Sequence, residues 1–252
     1  KRAQSYSLGD IAINPAKAKL DVITDKGLIE AVRRLSPDVE LEADGSLNIY
    51  QWYNLDRILK LKGELDLSNN DKLTSLNGLQ YFQNITSIKL FGNQNLAGNI
   101  DLTKCKQLTG QILVDNCQAV KSINVTGLDI KQLTARSLKG LEQVTIKGNN
   151  KLSSVTLNNN GELKSVDVSD LPVLEKLETY YSGKVTTINT SISQNLKEIN
   201  ASSNNGFLAN IEVTMTAAQK TTVNLVKPFK ESENDNNANV EDTNSWVKAI
   251  VR

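Results

Sequence analysis

From Val155 the chain reads "VTLNNNGELKSVDVSDLPVLEKL", and its apolar positions return every eleven residues. Val155, Val166 and Leu177 open three copies, with Leu157 and Val168 two places on and Leu163 and Leu174 eight places on. The same unit starts at Leu65, Leu76, Ile88, Ile100, Ile112, Ile123, Leu133, Val144, Val155, Val166, Leu177, Ile188, Ile199, Ile211 and Val223, with gaps of 10 to 12 residues. Most copies run apolar-x-apolar, then Asn, Cys or Leu three places later, then an apolar residue after three more. Leu65, Leu67, Asn70 and Leu73 thus match Ile88, Leu90, Asn93 and Leu96. Apolar-x-apolar is the period of a strand. An eleven-residue unit cannot bury its own apolar face, but stacked copies can, which is the logic of a solenoid.

Two units together give 21 to 24 residues, the length of one leucine-rich-repeat coil. Alternate units therefore form two sets. One starts at 65, 88, 112, 133, 155, 177, 199 and 223, the other at 76, 100, 123, 144, 166, 188 and 211. The pattern predicts a mostly β, right-handed leucine-rich-repeat solenoid of about seven coils, with one short-stranded parallel sheet on each side. At the strand spacing it is roughly 34 Å long. The polar residue at the sixth place of each unit sits at a corner, where backbone groups leave the ladder. Asn70, Asn93, Asn149, Asn160 and Asn204 are expected to bond those groups from inside.

The ends depart from the period. Over residues 25–35, Leu28, Ile29, Val32 and Leu35 share one helical face, and Pro37 stops it. A second short helix is expected over residues 50–61. Residues 231–244, "ESENDNNANVEDTN", read as an acidic loop, and "SWVKAIVR" ends with apolar weight. The expected division is residues 1–60 as N-terminal extension and helical cap, 61–228 as solenoid, and 229–252 as C-terminal cap, since end coils need covers.

Composition narrows the chemistry. Among 252 residues, Lys plus Arg is 29 and Asp plus Glu is 28, so no charge excess favours nucleic acid or an anionic membrane. Histidine is absent, which removes the commonest general base and metal ligand and excludes serine–histidine and cysteine–histidine nucleophiles. Asn occurs 29 times, in keeping with many turns. Cys105 and Cys117 lack zinc-ligand spacing and occupy corner positions. Lying half a coil apart, they are expected to be unbonded to each other, because disulfides need Cα atoms within roughly 7 Å. No apolar run is long enough to span a bilayer. The sequence opens on Lys1 and its one methionine is Met215, so a removed N-terminal targeting segment is expected.

"LDLSNNDKLTSLNGLQYFQNITSIKLFGNQNL", residues 65–96, resembles the repeats of secreted bacterial leucine-rich-repeat proteins of the internalin-like, surface-associated kind. "DVITDKGLIEAVRRL" resembles the helix that precedes those repeats. The resemblance spans roughly residues 20–225. It implies a scaffold for binding, secreted or anchored at a cell surface. In many relatives the helix leads into a calcium-loop-like stretch. Here "ELEADGSLNIYQ" offers Glu40, Glu42, Asp44, Gly45 and Asn48, but Gln51 replaces the closing Glu. A tight turn at Asp44–Gly45 with weak or no calcium affinity is the expectation.

An enzyme would draw on carboxylates of the second sheet, namely Asp101, Asp167 and Glu212. Asp101 and Asp167 lie three coils apart, about 14 Å, beyond the roughly 6.5–9.5 Å of an inverting glycosidase pair. The outward rows of the second sheet are short and polar. Those of the first sheet carry Lys89, Phe91, Asp115, Arg136, Glu178 and Tyr180, and aromatic and Arg side chains are the types that dominate binding energy. The reading is a non-enzymatic, monomeric interaction module without cofactor, binding a protein partner; the alternative is a glycan-binding surface protein or a spacer with no specific ligand.

Overall fold

In the computed structural model most repeat units form strands of three to five residues that hold the first apolar residue of the triplet, while the second often lies just past the strand end. The structure describes residues 6–8, 11–13, 22–51, 53–201, 211–226 and 247–251. Ahead of the repeats, β1 (Tyr6–Leu8) and β2 (Ile11–Ile13) pair antiparallel, as do β3 (Val22–Ile23) and β4 (Leu47–Asn48), which flank helix α1 (Lys26–Leu35). Helix α2 (Asn54–Lys60) then leads into the solenoid.

The first sheet contains β5 (Gly63–Asp66), β6 (Ile85–Lys89), β8 (Gln111–Asp115), β10 (Gln132–Arg136), β12 (Ser154–Thr156), β14 (Lys176–Glu178), β16 (Glu198–Asn200) and β18 (Asn224–Val226). All pair in parallel, and their register sets Leu65, Ile88, Ile112, Leu133, Val155, Leu177, Ile199 and Leu225 in one inward row. Eight such strands bound seven coils, as the double period predicts.

The intervening units supply β7 (Gly98–Asp101), β9 (Val120–Asn124) and β11 (Gln143–Thr145), then β13 (Ser165–Asp167), β15 (Thr187–Asn189), β17 (Ile211–Met215) and β19 (Val247–Val251). They form a three-stranded and a four-stranded parallel sheet rather than one continuous sheet. The strand β19 pairs with β17 and extends that sheet by one strand.

Three strand starts need correction. Leu76 opens no strand, although it is buried. The amides of Thr74 and Ser75 donate instead to the Asp25 carboxylate, so a side chain takes the place of a ladder. Ile188 faces Val213, not Ile211, and Ile199 faces Leu225, not Val223. Ile211, Val213 and Met215 alternate inward, so either register looks equal in sequence. Helix α3 (Ala217–Thr222), fixed by a capping box between Thr216 and Gln219, lengthens the last unit and makes Val223 its C-cap.

Buried apolar residues from Ile23 to Val223 make one core between the sheets and under the helical cap. At the cap, Asp25 accepts from Leu28 N at 2.9 Å and starts α1. Leu28, Ile29 and Val32 are buried as expected, whereas Leu35, the last helical residue, is 49% exposed and lies outside the core stripe. Gly27 packs directly on the first coil. A Cβ there would stand 2.3 Å from Leu73 N, so only glycine fits.

The corners hold two recurring devices. At the fifth place of the unit the backbone is left-handed, with positive φ at Asn69, Gly92, Asn116, Gly127, Ser137, Gly148, Asn159, Asp170, Tyr181 and Ile192. Asn and Gly tolerate this conformation; Tyr and Ile do not. At the sixth place a buried polar group reaches back to the preceding coil. Asn93 donates to Leu67 O and accepts from Asn70 N; Asn160 donates to Ala135 O and accepts from Leu138 N. Asn149 donates to Val125 O and Ile146 O. Ser182 and Ser193 do the same with hydroxyls, bonding Leu157 O and Val168 O. Asn204 lies outside the described residues, as do residues 231–244.

Candidate interaction face

Every second residue of a first-sheet strand points away from the core. At the outward position after the conserved-register row stand Asp66, Lys89, Leu113, Thr134, Thr156, Glu178 and Asn200; two places on stand Ser68, Phe91, Asp115, Arg136, Asn158 and Tyr180. The six residues singled out in the sequence therefore do share one side of the molecule. Their environments differ. Phe91 is 43% exposed and Arg136 is exposed, Lys89, Glu178 and Tyr180 are half-buried, and Asp115 is buried at 8%.

The outermost row alternates coil by coil. On the first, third and fifth coils it carries a short polar group that folds onto the next strand. Ser68 Oγ accepts from Phe91 N at 3.0 Å, Asp115 Oδ1 from Arg136 N at 3.1 Å, and Asn158 Oδ1 from Tyr180 N at 2.9 Å. On the second, fourth and sixth coils it carries Phe91, Arg136 and Tyr180, whose side chains are large. This alternation was not read from the sequence. Its trace there is the order Ser, Phe, Asp, Arg, Asn, Tyr at one register position, small and large by turns.

The charges of this face are matched within it. Asp115 holds Arg136 through Nε at 3.2 Å and Nη2 at 2.6 Å, and this contact raises the guanidinium pKa further. Lys176 bridges Glu178 at 2.9 Å and Glu198 at 3.4 Å. Burial opposes ionisation of Glu178, but Lys176, the Asn158 amide and Arg136 outweigh it and keep its pKa below the usual value. The Ser68 hydroxyl, aided more weakly by Lys89, holds Asp66 low. Tyr180 stacks edge-to-face on Tyr181.

The second sheet offers less. Asp101 Oδ1 accepts from Thr103 N at 2.9 Å and Thr103 Oγ1 at 2.6 Å; Asp167 does the same with Ser169. Both carboxylates close local turns, and they stand in separate sheets. Glu212 lies on β17.

Cys105 and Cys117 are free and buried. Burial pushes the Cys105 thiol up to about 12 and raises Cys117 as well. Cys117 Sγ donates to Leu90 O at 2.7 Å, taking the corner role of Asn93 one coil later. Between α1 and the first corner lies an open cleft of about 700 Å³ that the sequence reading missed, lined by Lys26, Glu30, Arg33, Arg34, Leu41 and Lys72 among others. Glu30 pairs with Lys72 at 2.8 Å across it. Gly45 forms its far rim in the tight turn expected there, with φ +83° and Asp44 Oδ1 accepting from Ser46 N and Oγ. Asn48 is occupied in turn by Tyr50 N. No cluster of three or more His, Cys, Asp or Glu suited to a metal occurs among the described residues. No helix among them is long and apolar enough to cross a membrane.

Residues 53–150 match a family model described as the Endo-beta-N-acetylglucosaminidase EndoS LRR domain. The match runs from the residue before α2 to the corner after β11, less than half of the chain. A comparison with curated proteins gives no match. The double period continues through the described coils beyond the match with the same row and the same corners, so the chain folds as a leucine-rich-repeat solenoid.

Proposed function

We propose that the chain is a non-enzymatic interaction module, secreted or anchored at a bacterial cell surface, that binds a protein or glycan partner across its first sheet. The carrying observation is the row in which Phe91, Arg136 and Tyr180 project from alternate coils of a hydrogen-bonded ladder. The ladder already orders the backbone beneath them, which lowers the entropy lost on binding. Aromatic and Arg side chains are the residues whose truncation most often weakens an interface. Lys89, Asp115 and Glu178 frame the row. Residues before β5 and after β18 serve as covers for the end coils in this reading.

The test is retention of cell-surface extract components by the immobilised chain. Saturable retention is expected, lost in a Phe91→Ala/Tyr180→Ala double variant and kept in Asp101→Ala/Asp167→Ala. Each first-sheet truncation should weaken binding by about 1–2 kcal/mol. A spacer would retain nothing saturable. The reverse pattern would move the site to the second sheet, and indifference to both pairs would move it to the caps.

A further inference from the structure

The interaction face carries two features that together narrow its partner, and the inference rests on the interaction reading above. The first is a two-coil period. Large side chains occur at Phe91, Arg136 and Tyr180, while Ser68, Asp115 and Asn158, each one coil earlier, fold down onto the next strand. Parallel strands lie about 4.8 Å apart, so the projecting groups recur about every 9.6 Å along the solenoid axis and Phe91 stands about 19 Å from Tyr180. The second feature is that each cation of the face is matched by a carboxylate within it. Arg136 is held by Asp115, Lys176 by Glu178 and Glu198, and Asp66 is paired in register with Lys89. A protein partner presents charges of its own and is met by complementary ones. A face whose charges satisfy one another is complementary to an uncharged polar ligand.

We propose that the first sheet binds a linear, uncharged, β-linked hexopyranose polysaccharide lying along the solenoid axis, about one sugar ring to each coil. In an extended β-1,4-linked chain, the linkage meant here, the ring spacing is close to the strand spacing, and successive rings are turned over. Every second ring therefore shows the same face. That symmetry matches a platform in which every second coil projects a side chain. Phe91 and Tyr180 stack against rings four apart, as flat apolar surfaces do with the axial C–H face of a sugar. Arg136, pinned flat by its bidentate contact with Asp115, meets the ring midway and donates to its hydroxyls. The neighbouring row supplies the Thr134 and Thr156 hydroxyls and, at the strand start, the exposed Gln132 amide, all pointing outward beside the track. An extended peptide has a shorter two-residue repeat and does not keep this register.

Calorimetry with four probes tests the assignment: the hexasaccharides and trisaccharides of β-1,4-linked glucose and of β-1,4-linked N-acetylglucosamine. At least one hexasaccharide should bind roughly tenfold more tightly than its trisaccharide, because only the longer chain reaches both aromatic platforms. Phe91→Ala and Tyr180→Ala should each weaken it roughly tenfold. Both side chains are outward, so unchanged melting temperatures will show that the variants are folded. Raising the salt concentration should change the affinity by less than about twofold, since no net charge is matched. Heat from neither hexasaccharide, no gain with length, or affinity untouched in both variants would overturn the proposal. If neither hexasaccharide binds while extract retention still depends on Phe91 and Tyr180, the glycan assignment falls and the interaction face stands. If extract retention is also indifferent to them, both fall.

Discussion

Asn160 is fully buried at the corner after β12, where it donates Nδ2 to Ala135 O at 2.9 Å and accepts from Leu138 N at 3.0 Å. Asn160→Ala deletes both partners and leaves an amide and a carbonyl of the preceding coil in a dry interior. Each orphaned group costs about 1–3 kcal/mol. The carbonyl, with a second lone pair, falls at the low end of that range, so the pair should destabilise the chain by about 3–4 kcal/mol. For a chain of this length the melting temperature should fall on the order of 10 °C. Asn159, beside it, is the built-in control. It is exposed with φ +59°, and its side-chain Nδ2 donates to Ser137 Oγ. Asn159→Gly keeps the left-handed turn and should change stability by less than about 1 kcal/mol. Urea unfolding followed by circular dichroism measures both. Because a repeat array can unfold in parts, hydrogen exchange of the Leu138 amide gives the local readout. It should speed up in Asn160→Ala and stay slow in Asn159→Gly. A loss below about 1 kcal/mol with unchanged exchange would refute the idea that the corner ladder holds successive coils together.

Ile192 is a β-branched residue in the left-handed region at φ +54°, 52% exposed; Ile192→Asn should raise stability by about 1 kcal/mol in the same urea assay, and a decrease would mean its side chain packs on something that matters. Both thiols should resist iodoacetamide at about pH 8 in the native chain and react fully in urea, since burial pushes Cys105 up to about 12 and raises Cys117; native labelling would contradict their burial. Asp44, Asp66, Asp101 and Glu162 are held below their usual pKa by Ser46, Ser68, Thr103 and Lys184. Depressed folded values stabilise the fold above the unfolded value of about 4, and that stabilisation is lost as pH falls through the lower folded value. The melting temperature should stay level from about pH 5 to 8 and decline gently below about 4, gently because these groups are exposed; a rise on acidification would reverse the sign of the argument.

The strand rows were legible because each apolar triplet is repeated many times, so one ambiguous copy is settled by its neighbours. That support runs out at the ends. Ile211 and Val213 are both apolar and inward, so sequence periodicity could not choose between them, and α3 shifts the final strand by two residues. The strand at Leu76 fails for a reason no local pattern carries: its neighbours bond a carboxylate some fifty residues earlier. On the candidate face the row itself was legible from alternation. The folding-down of Asp115 and its grip on Arg136 were not, since outward position does not tell whether a side chain meets solvent or the next strand. The left-handed fifth place was hidden for the opposite reason. Asn and Gly dominate it, but Tyr181 and Ile192 break the rule.

The N-terminal cap imitates a coil that is not there. Asn70 Nδ2 donates to Gly27 O at 2.9 Å, the bond that Asn93 makes to Leu67 O one coil later. On the other side, Asp25 Oδ2 accepts from Thr74 N at 2.9 Å and Ser75 N at 3.0 Å, where a strand would have accepted. One helical turn therefore fixes both the depth and the phase of the first repeat. Repeats that are nearly alike can stack one unit out of step, and this template penalises the slip at its origin. A chain made from its N-terminus meets the template before any repeat exists. Its assembly then has a direction, each coil being the mould for the next.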